Sequence, residues 1–164
     1  MVYPYPMYYY PDNIQESILI FQNGQYEYED RKQMSKKDQK KNQIDLTDYN
    51  KGDLYMNTWQ ITNVLPIKGR LEEGIAAFPD EIARRLIMFY SHIGEIICDP
   101  FLGSGTTMKV ALSMDRNCVG YELDKNLKEI IKKKVNQANT KNHKIKFTTR
   151  KDAKMMRNIL TTKN

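Results

Sequence analysis

Asp99-Pro100-Phe101-Leu102-Gly103-Ser104-Gly105-Thr106-Thr107 decides how this chain is read. Just before it, Glu95-Ile96-Ile97-Cys98 is short and mostly apolar, as a buried strand would be. Just after it, Val110, Ala111 and Met114 keep helical spacing, and Thr106 or Thr107 can cap that helix. Asn117-Cys118-Val119-Gly120-Tyr121-Glu122 then reads as a second strand. Strand, glycine-rich turn, helix, strand and acid follow in the order of a βαβ unit built on a parallel sheet. Asp99 closes the first strand and Glu122 the second, so both carboxylates stand at the carboxyl edge, where open α/β sheets bind ligands. Gly103 and Gly105 lack a Cβ and let backbone approach a ligand closely. The N–H groups that open the following helix point the same way.

The spacing discriminates among nucleotides. A dinucleotide fingerprint needs a third small residue, and Met108 stands there instead. A phosphate-cradling loop needs a lysine directly after its second glycine; Thr106 follows Gly105, and the next lysine is Lys109. A pyrophosphate thus lacks its usual seat. A phosphate-free, positively charged nucleoside such as S-adenosylmethionine suits two acids better, one near its cationic end and one on its ribose.

Working outward, Pro79-Asp80-Glu81 opens a helix well, with proline in the first turn and acids at the positive dipole end. Ile82, Leu86, Phe89 and Tyr90 are expected to form its inner face, and Gly94 to stop it. Asp124 can cap a later helix, with Leu127, Ile130, Ile131 and Val135 inward and Lys125, Lys128 and Lys132 outward. Lys133 and Lys134 suit that helix's C-terminal half. Ile145, Phe147 and Thr149 alternate with lysines and threonine, predicting a third strand. Residues 57–164 therefore form the α/β core. Residues 29–56 are polar and lysine-rich (Arg31, Lys32, Lys36, Lys37, Lys40, Lys41) and read as an exposed loop or excursion. Residues 1–28 are rich in tyrosine and proline; within them Ser17-Ile18-Leu19-Ile20-Phe21-Gln22 reads as a buried strand, ended by a turn at Asn23-Gly24.

The 164 residues suit one domain with a real core, and 40% hydrophobic with 28% charged residues is ordinary for a globular protein. No run has the roughly eighteen apolar residues of a membrane span. Met1-Val2-Tyr3-Pro4-Tyr5-Pro6 has neither the basic start nor the apolar stretch of a secretory leader, so cytoplasmic residence is expected. Cys98 and Cys118 are spaced neither as a metal site nor as a redox pair, and both are expected to be buried free thiols. The net charge of +6 is compatible with a polyanionic partner.

Three segments together carry a resemblance: Phe78-Pro79-Asp80-Glu81-Ile82-Ala83-Arg84-Arg85-Leu86-Ile87, Asp99 to Thr107, and Arg116-Asn117-Cys118-Val119-Gly120-Tyr121-Glu122. Over about residues 57–125 the chain resembles the bacterial and archaeal DNA methyltransferases that modify exocyclic amines, making N4-methylcytosine or N6-methyladenine, mostly in restriction–modification systems. The resemblance implies a Rossmann-like S-adenosylmethionine-dependent methyltransferase fold, here a partial parallel sheet with flanking helices. It also implies double-stranded DNA as partner. In that family the Phe-Pro segment borders the methionine part of the cofactor, the turn wraps it, and the acid at the second strand end holds the ribose. Those roles fall on Phe78 and Pro79, on Asp99, Pro100, Phe101, Gly103, Ser104, Gly105 and Thr106, and on Glu122.

Two departures matter. Many relatives carry His-Pro shortly before the Phe-Pro pair, where this chain has Gly74-Ile75. The larger departure is the family's catalytic tetrapeptide: Asp, Ser or Asn, then Pro-Pro, then an aromatic. It grips a base flipped out of the duplex. No Pro-Pro occurs in this sequence, so no residue of it is assigned a catalytic role. In one permuted subgroup the catalytic half precedes the cofactor half, and the join resembles Tyr3-Pro4-Tyr5-Pro6 leading into Gln15–Phe21. The chain is therefore expected to be the C-terminal half of such an enzyme. That half is either the product of a truncated gene or one subunit of a split enzyme, in which case a complementary polypeptide would carry the catalytic motif; residues 29–56 could form a short target-recognition excursion or only a disordered loop.

Overall fold

β1 (Ile96–Asp99) and β2 (Asn117–Gly120) pair in parallel in a computed structural model that describes residues 15–24, 34–51, 53–62, 78–138 and 144–149. The register runs from Ile96 opposite Asn117 to Asp99 opposite Gly120. Parallel neighbours need a crossover, and α4 (Thr106–Ser113) supplies it. The remaining helices are α1 (Lys36–Lys41), α2 (Leu46–Lys51), α3 (Asp80–Tyr90) and α5 (Lys128–Asn136), the last entered through a 3-10 turn at Lys125–Leu127. The chain divides into two units, Met1–Gln39 and Lys40–Asn164.

Within the larger unit, α4 has a helix on each side. Val110 and Ala111 meet Ala83 and Ile87 of α3, with Ile97, Met114 and Cys118 closing the cluster from the sheet side. Met108 and Leu112 lie toward a second cluster made by Leu102, Ile131 and Val135, with Leu127 and Ile145 at its margin. Ala111 and Val135 expose no surface. Burying a side chain of valine or isoleucine size contributes about 1.5–3 kcal/mol, so these few residues carry much of the unit's cohesion. Arg116 ties the elements together from the rim. Its Nη2 donates to the Ser91 carbonyl at 2.8 Å and its Nη1 to the Met114 carbonyl at 2.6 Å.

Several expectations shift. α3 buries Ala83, Arg85 and Ile87, while Tyr90 is 61% exposed and Phe89 is only partly covered. Small Ala83 lets α3 approach Ala111 of α4 closely, and Phe89 instead meets Trp59, ring centroids 6.3 Å apart. The helix ends at Tyr90. Gly94 serves the turn into β1, at φ 89°, where its N–H donates to the Asp115 carbonyl. β1 extends to include Asp99, and β2 stops at Gly120. Lys134 is buried rather than left on the solvated side of its helix.

Two expected strands do not form. Ser17–Gln22 carries no strand, and Ile18, Leu19, Ile20 and Phe21 are 46 to 87% exposed. A buried strand needs a neighbour for its N–H and C=O groups, and no described residue pairs with it. Residues 144–149 are likewise outside any sheet. Ile145 packs at the edge of the Leu102 cluster, and the ammonium groups of Lys128 and Lys132 lie 5.1 and 5.7 Å from the Phe147 ring centroid. Side-chain contact with α5 thus takes the place of a ladder. The lysine-rich excursion, in turn, contains two short helices. Ser35 and Asp38 form a reciprocal cap at α1, since the Asp38 N–H donates to Ser35 Oγ and that hydroxyl donates to Asp38 Oδ2. Asp45 Oδ1 accepts the Thr47 N–H at the start of α2.

The cysteines also part company with expectation. Cys98 is exposed on the sheet face away from α4, whereas Cys118 is half-buried beneath it. Burial, with Asp99 and Cys98 nearby, pushes the Cys118 thiol up to about 12. The thiolate is the nucleophile. Iodoacetamide at pH 8 is therefore expected to alkylate Cys98 of the folded chain first. Peptide mass mapping reads this directly, and equal labelling of both thiols would contradict the placement of Cys118.

Candidate functional site

The carboxyl ends of β1 and β2 are stitched together beyond the sheet. The Tyr121 N–H donates to the Asp99 carbonyl at 2.9 Å, and the Leu102 N–H to the Tyr121 carbonyl at 2.8 Å. Glu122 completes the seam: its Oε2 accepts the Gly103 N–H and its Oε1 the Asp124 N–H, each at 2.8 Å. Asp99 Oδ1 accepts the Phe101 N–H at 3.0 Å. The two acids singled out by sequence thus lie at adjacent strand ends, each holding loop backbone.

The glycines divide their work. Gly103, at φ 54°, is open, with nothing closer than the Phe101 carbonyl at 3.9 Å to where a Cβ would stand. Gly105, at φ 89°, is the left-handed residue that caps α4. Its missing Cβ faces Ile131 at 3.4 Å, so that close approach is between helices. The expected threonine side-chain cap is not formed. Ser104 and Thr106 turn inward, 4% and 2% exposed, and the Lys134 ammonium donates to both hydroxyls at 2.9 and 2.6 Å.

Phe78 and Pro79 sit at the start of α3, with Pro79 in extended conformation as its N-cap. Lys109 of α4 forms an ion pair with Asp80, which anchors the Phe-Pro segment to the first turns of the helix that the glycine turn opens. Glu81 braces the same end by accepting from Arg84 and from Arg85 Nε, both at 2.7 Å. The Arg84 hydrogen bond, with Arg85 helping, holds the Glu81 carboxyl down at about 2.

The edge is acidic and apolar at once. Phe101, Tyr121 and Leu123 are 88, 62 and 98% exposed beside Asp99 and Glu122. Large apolar side chains this open, next to two carboxylates and a helix N-terminus, offer cover for a flat heterocycle and acceptors for hydroxyls or a cation. Among the described residues, no group of three or more His, Cys, Asp or Glu could hold a metal ion, and no helix is long and apolar enough to cross a membrane.

Sequence reasoning missed two residues and one ion pair. Lys134 looked like one more lysine of a basic helix, and nothing local separates it from Lys133. Gly120 read as an ordinary strand residue, yet a Cβ there would stand 2.7 Å from a Leu102 methyl. The Asp80–Lys109 link joins two separately read helices.

The chain is 38% identical over 120 residues to the type II methyltransferase M.MjaI of Methanocaldococcus jannaschii, covering 73% of this chain and 38% of that protein. It is 49% identical over 67 residues to the type II methyltransferase M.MthZI of Methanothermobacter thermautotrophicus, covering 41% of this chain and 19% of that one. It thus spans well under half the length of these relatives. Among solved structures, TTHA0409 of Thermus thermophilus, described as a DNA modification methylase, superposes with a TM-score of 0.50 at 25% identity, over 65% of this chain and 40% of that one. Its complex with S-adenosyl-L-methionine gives 0.51 at 22% identity, over 77% of this chain and 49% of that one, a likeness of fold. The N6/N4 DNA methylase profile matches residues 2–133, and with that match the chain belongs to this family of DNA methylases.

Proposed function

We propose that the chain is the S-adenosylmethionine-binding half of a DNA amino-methyltransferase. The single observation that carries the reading is the stitched edge, where Glu122 and Asp99 stand at adjacent strand ends around an open Gly103. The residues fit the cofactor. Each Glu122 oxygen already accepts one backbone N–H and keeps a lone pair for a ribose hydroxyl. Asp99 supplies negative charge for the cationic end, Pro100 stiffens the turn that follows it, and Phe101 and Tyr121 supply apolar cover. Phe78 and Pro79 border the same helix pair. Bound S-adenosylmethionine would supply an activated methyl group: the amine at N4 of cytosine or N6 of adenine would form the new N–C bond and lose one proton as the sulfonium S–C bond breaks and S-adenosylhomocysteine leaves. These residues position it and exclude water around it; positioning and electrostatics do most of such a transfer.

The base-gripping tetrapeptide comes from polypeptide outside these 164 residues, in the permuted order with the catalytic half first. The absence of Pro-Pro from the sequence and the 38% coverage of M.MjaI support that reading. The exposed apolar stretch Ile18–Phe21, at the expected join, supports it too. On that reading residues 1–28 are the partial end of the catalytic half, 29–56 a basic loop or short excursion toward double-stranded DNA, and 57–164 the cofactor-binding core. The expected setting is a cytoplasmic restriction–modification system.

The test mixes this chain with a polypeptide carrying the Asp/Ser/Asn-Pro-Pro-aromatic segment, duplex DNA and methyl-labelled S-adenosylmethionine. Label is expected in DNA only from the mixture. Binding of cofactor without transfer under any pairing would instead mark a non-catalytic remnant.

A further inference from the structure

We infer that Lys134 is a positioning residue for the glycine turn, acting through the hydroxyls of Ser104 and Thr106. The inference rests on the reading of that turn as the cofactor seat. Lys134 lies in the last turn of α5, and only 6% of it is exposed. Its Nζ reaches Ser104 Oγ at 2.9 Å and Thr106 Oγ1 at 2.6 Å, and those oxygens are themselves 3.5 Å apart. An ammonium only donates, so both hydroxyl oxygens accept from it. The two hydroxyl residues flank Gly105, whose left-handed conformation starts α4. One cation therefore bridges the residues on either side of the left-handed glycine that starts α4.

The placement runs against helix electrostatics. A positive charge beside the first turn of α4 opposes that helix's dipole, although it suits the C-terminal end of α5. A charge set against a local rule, buried and bonded to two residues of the same turn, points to a role in shaping the turn. With both hydroxyls drawn inward, the outer surface of the turn is left to Asp99, Phe101 and Gly103, the residues that face the proposed cofactor. Lys134 is thus coupled to cofactor affinity without touching the reacting atoms.

The test uses the full 164-residue chain. Calorimetry with S-adenosylmethionine reads affinity, and amide hydrogen exchange at Gly103–Thr107 reads the turn. Lys134→Met is expected to weaken binding about tenfold, the scale of losing charge-assisted hydrogen bonds, and to speed exchange at the turn. In a Ser104→Ala/Thr106→Val background the same change should cost less than about twofold more, because residues acting through one network are not additive. Thr106→Ser keeps a hydroxyl and is expected to keep affinity, which a merely space-filling threonine would not require. Unchanged affinity and exchange in Lys134→Met, or full additivity in the double background, would overturn the inference. If the folded parent chain binds no S-adenosylmethionine while Lys134→Met still loosens the turn, the cofactor reading falls and the positioning role stands. Should Lys134→Met fail to fold, Thr106→Val against Thr106→Ser reads the same coupling, and equal affinity of the two would overturn it.

Discussion

Gly120→Ala will destabilise the chain by about 1–3 kcal/mol, the usual cost of overpacking. An added Cβ would stand 2.7 and 2.8 Å from the two Leu102 methyls and 3.0 Å from Leu102 Cγ. A leucine at a surface could swing away. Leu102 cannot do so freely: it is 7% exposed and packs against Ile131 and Val135. Its backbone is also held, with its N–H on the Tyr121 carbonyl and its carbonyl accepting from Gly105. Relief must either open the core or drag the turn that contains Gly103. Denaturant unfolding reads the loss, and cofactor affinity should fall with it. Leu102→Ala in the same chain should absorb part of the clash, making the pair less damaging than the sum of its members. A Gly120→Ala chain as stable as its parent would show that β2 does not pass this close to the turn.

Glu122→Ala acts on binding more than on folding. Its carboxylate is exposed and accepts two backbone N–H groups that water can take over, so stability should change little. Affinity for S-adenosylmethionine should drop by on the order of 1–3 kcal/mol, because charge-assisted hydrogen bonds to the ribose are lost and Gly103 is released. Asp99→Ala should give a loss of similar size from the other strand end. Glu122→Gln, which keeps one carbonyl acceptor, should fall between parent and alanine. Unchanged calorimetric affinity in both alanine variants would remove the site from this edge.

The local unit was legible because each of its parts is set within a few residues. The strand–turn–helix–strand order, the Asp124 cap and Asp99 at the end of β1 follow from spacing and turn chemistry, and the structure has them, while Glu122 stands two residues beyond the end of β2. What escaped reading depends on residues distant in sequence. Ser17–Gln22 has the composition of a buried strand, but composition does not supply a partner, and it lies exposed. Ile145–Thr149 has the alternation of a strand, yet Phe147 is drawn to lysines of α5. Periodicity put Ile82, Leu86, Phe89 and Tyr90 of α3 inward, while the helix pair closes through Ala83 and Ile87 against Val110 and Ala111. Lys134 is the sharpest case. Thirty positions separate it from Ser104, and no pattern on its own helix marks it as the lysine that turns inward.

Seating the methyl donor within this chain is the claim on which the rest depends. Equilibrium dialysis of the folded 164-residue chain against labelled S-adenosylmethionine, without DNA or any second polypeptide, tests it most directly. Saturable uptake of one cofactor per chain, abolished or sharply weakened by Glu122→Ala, is the predicted result. A chain shown by circular dichroism to be folded, yet taking up no cofactor, would contradict it.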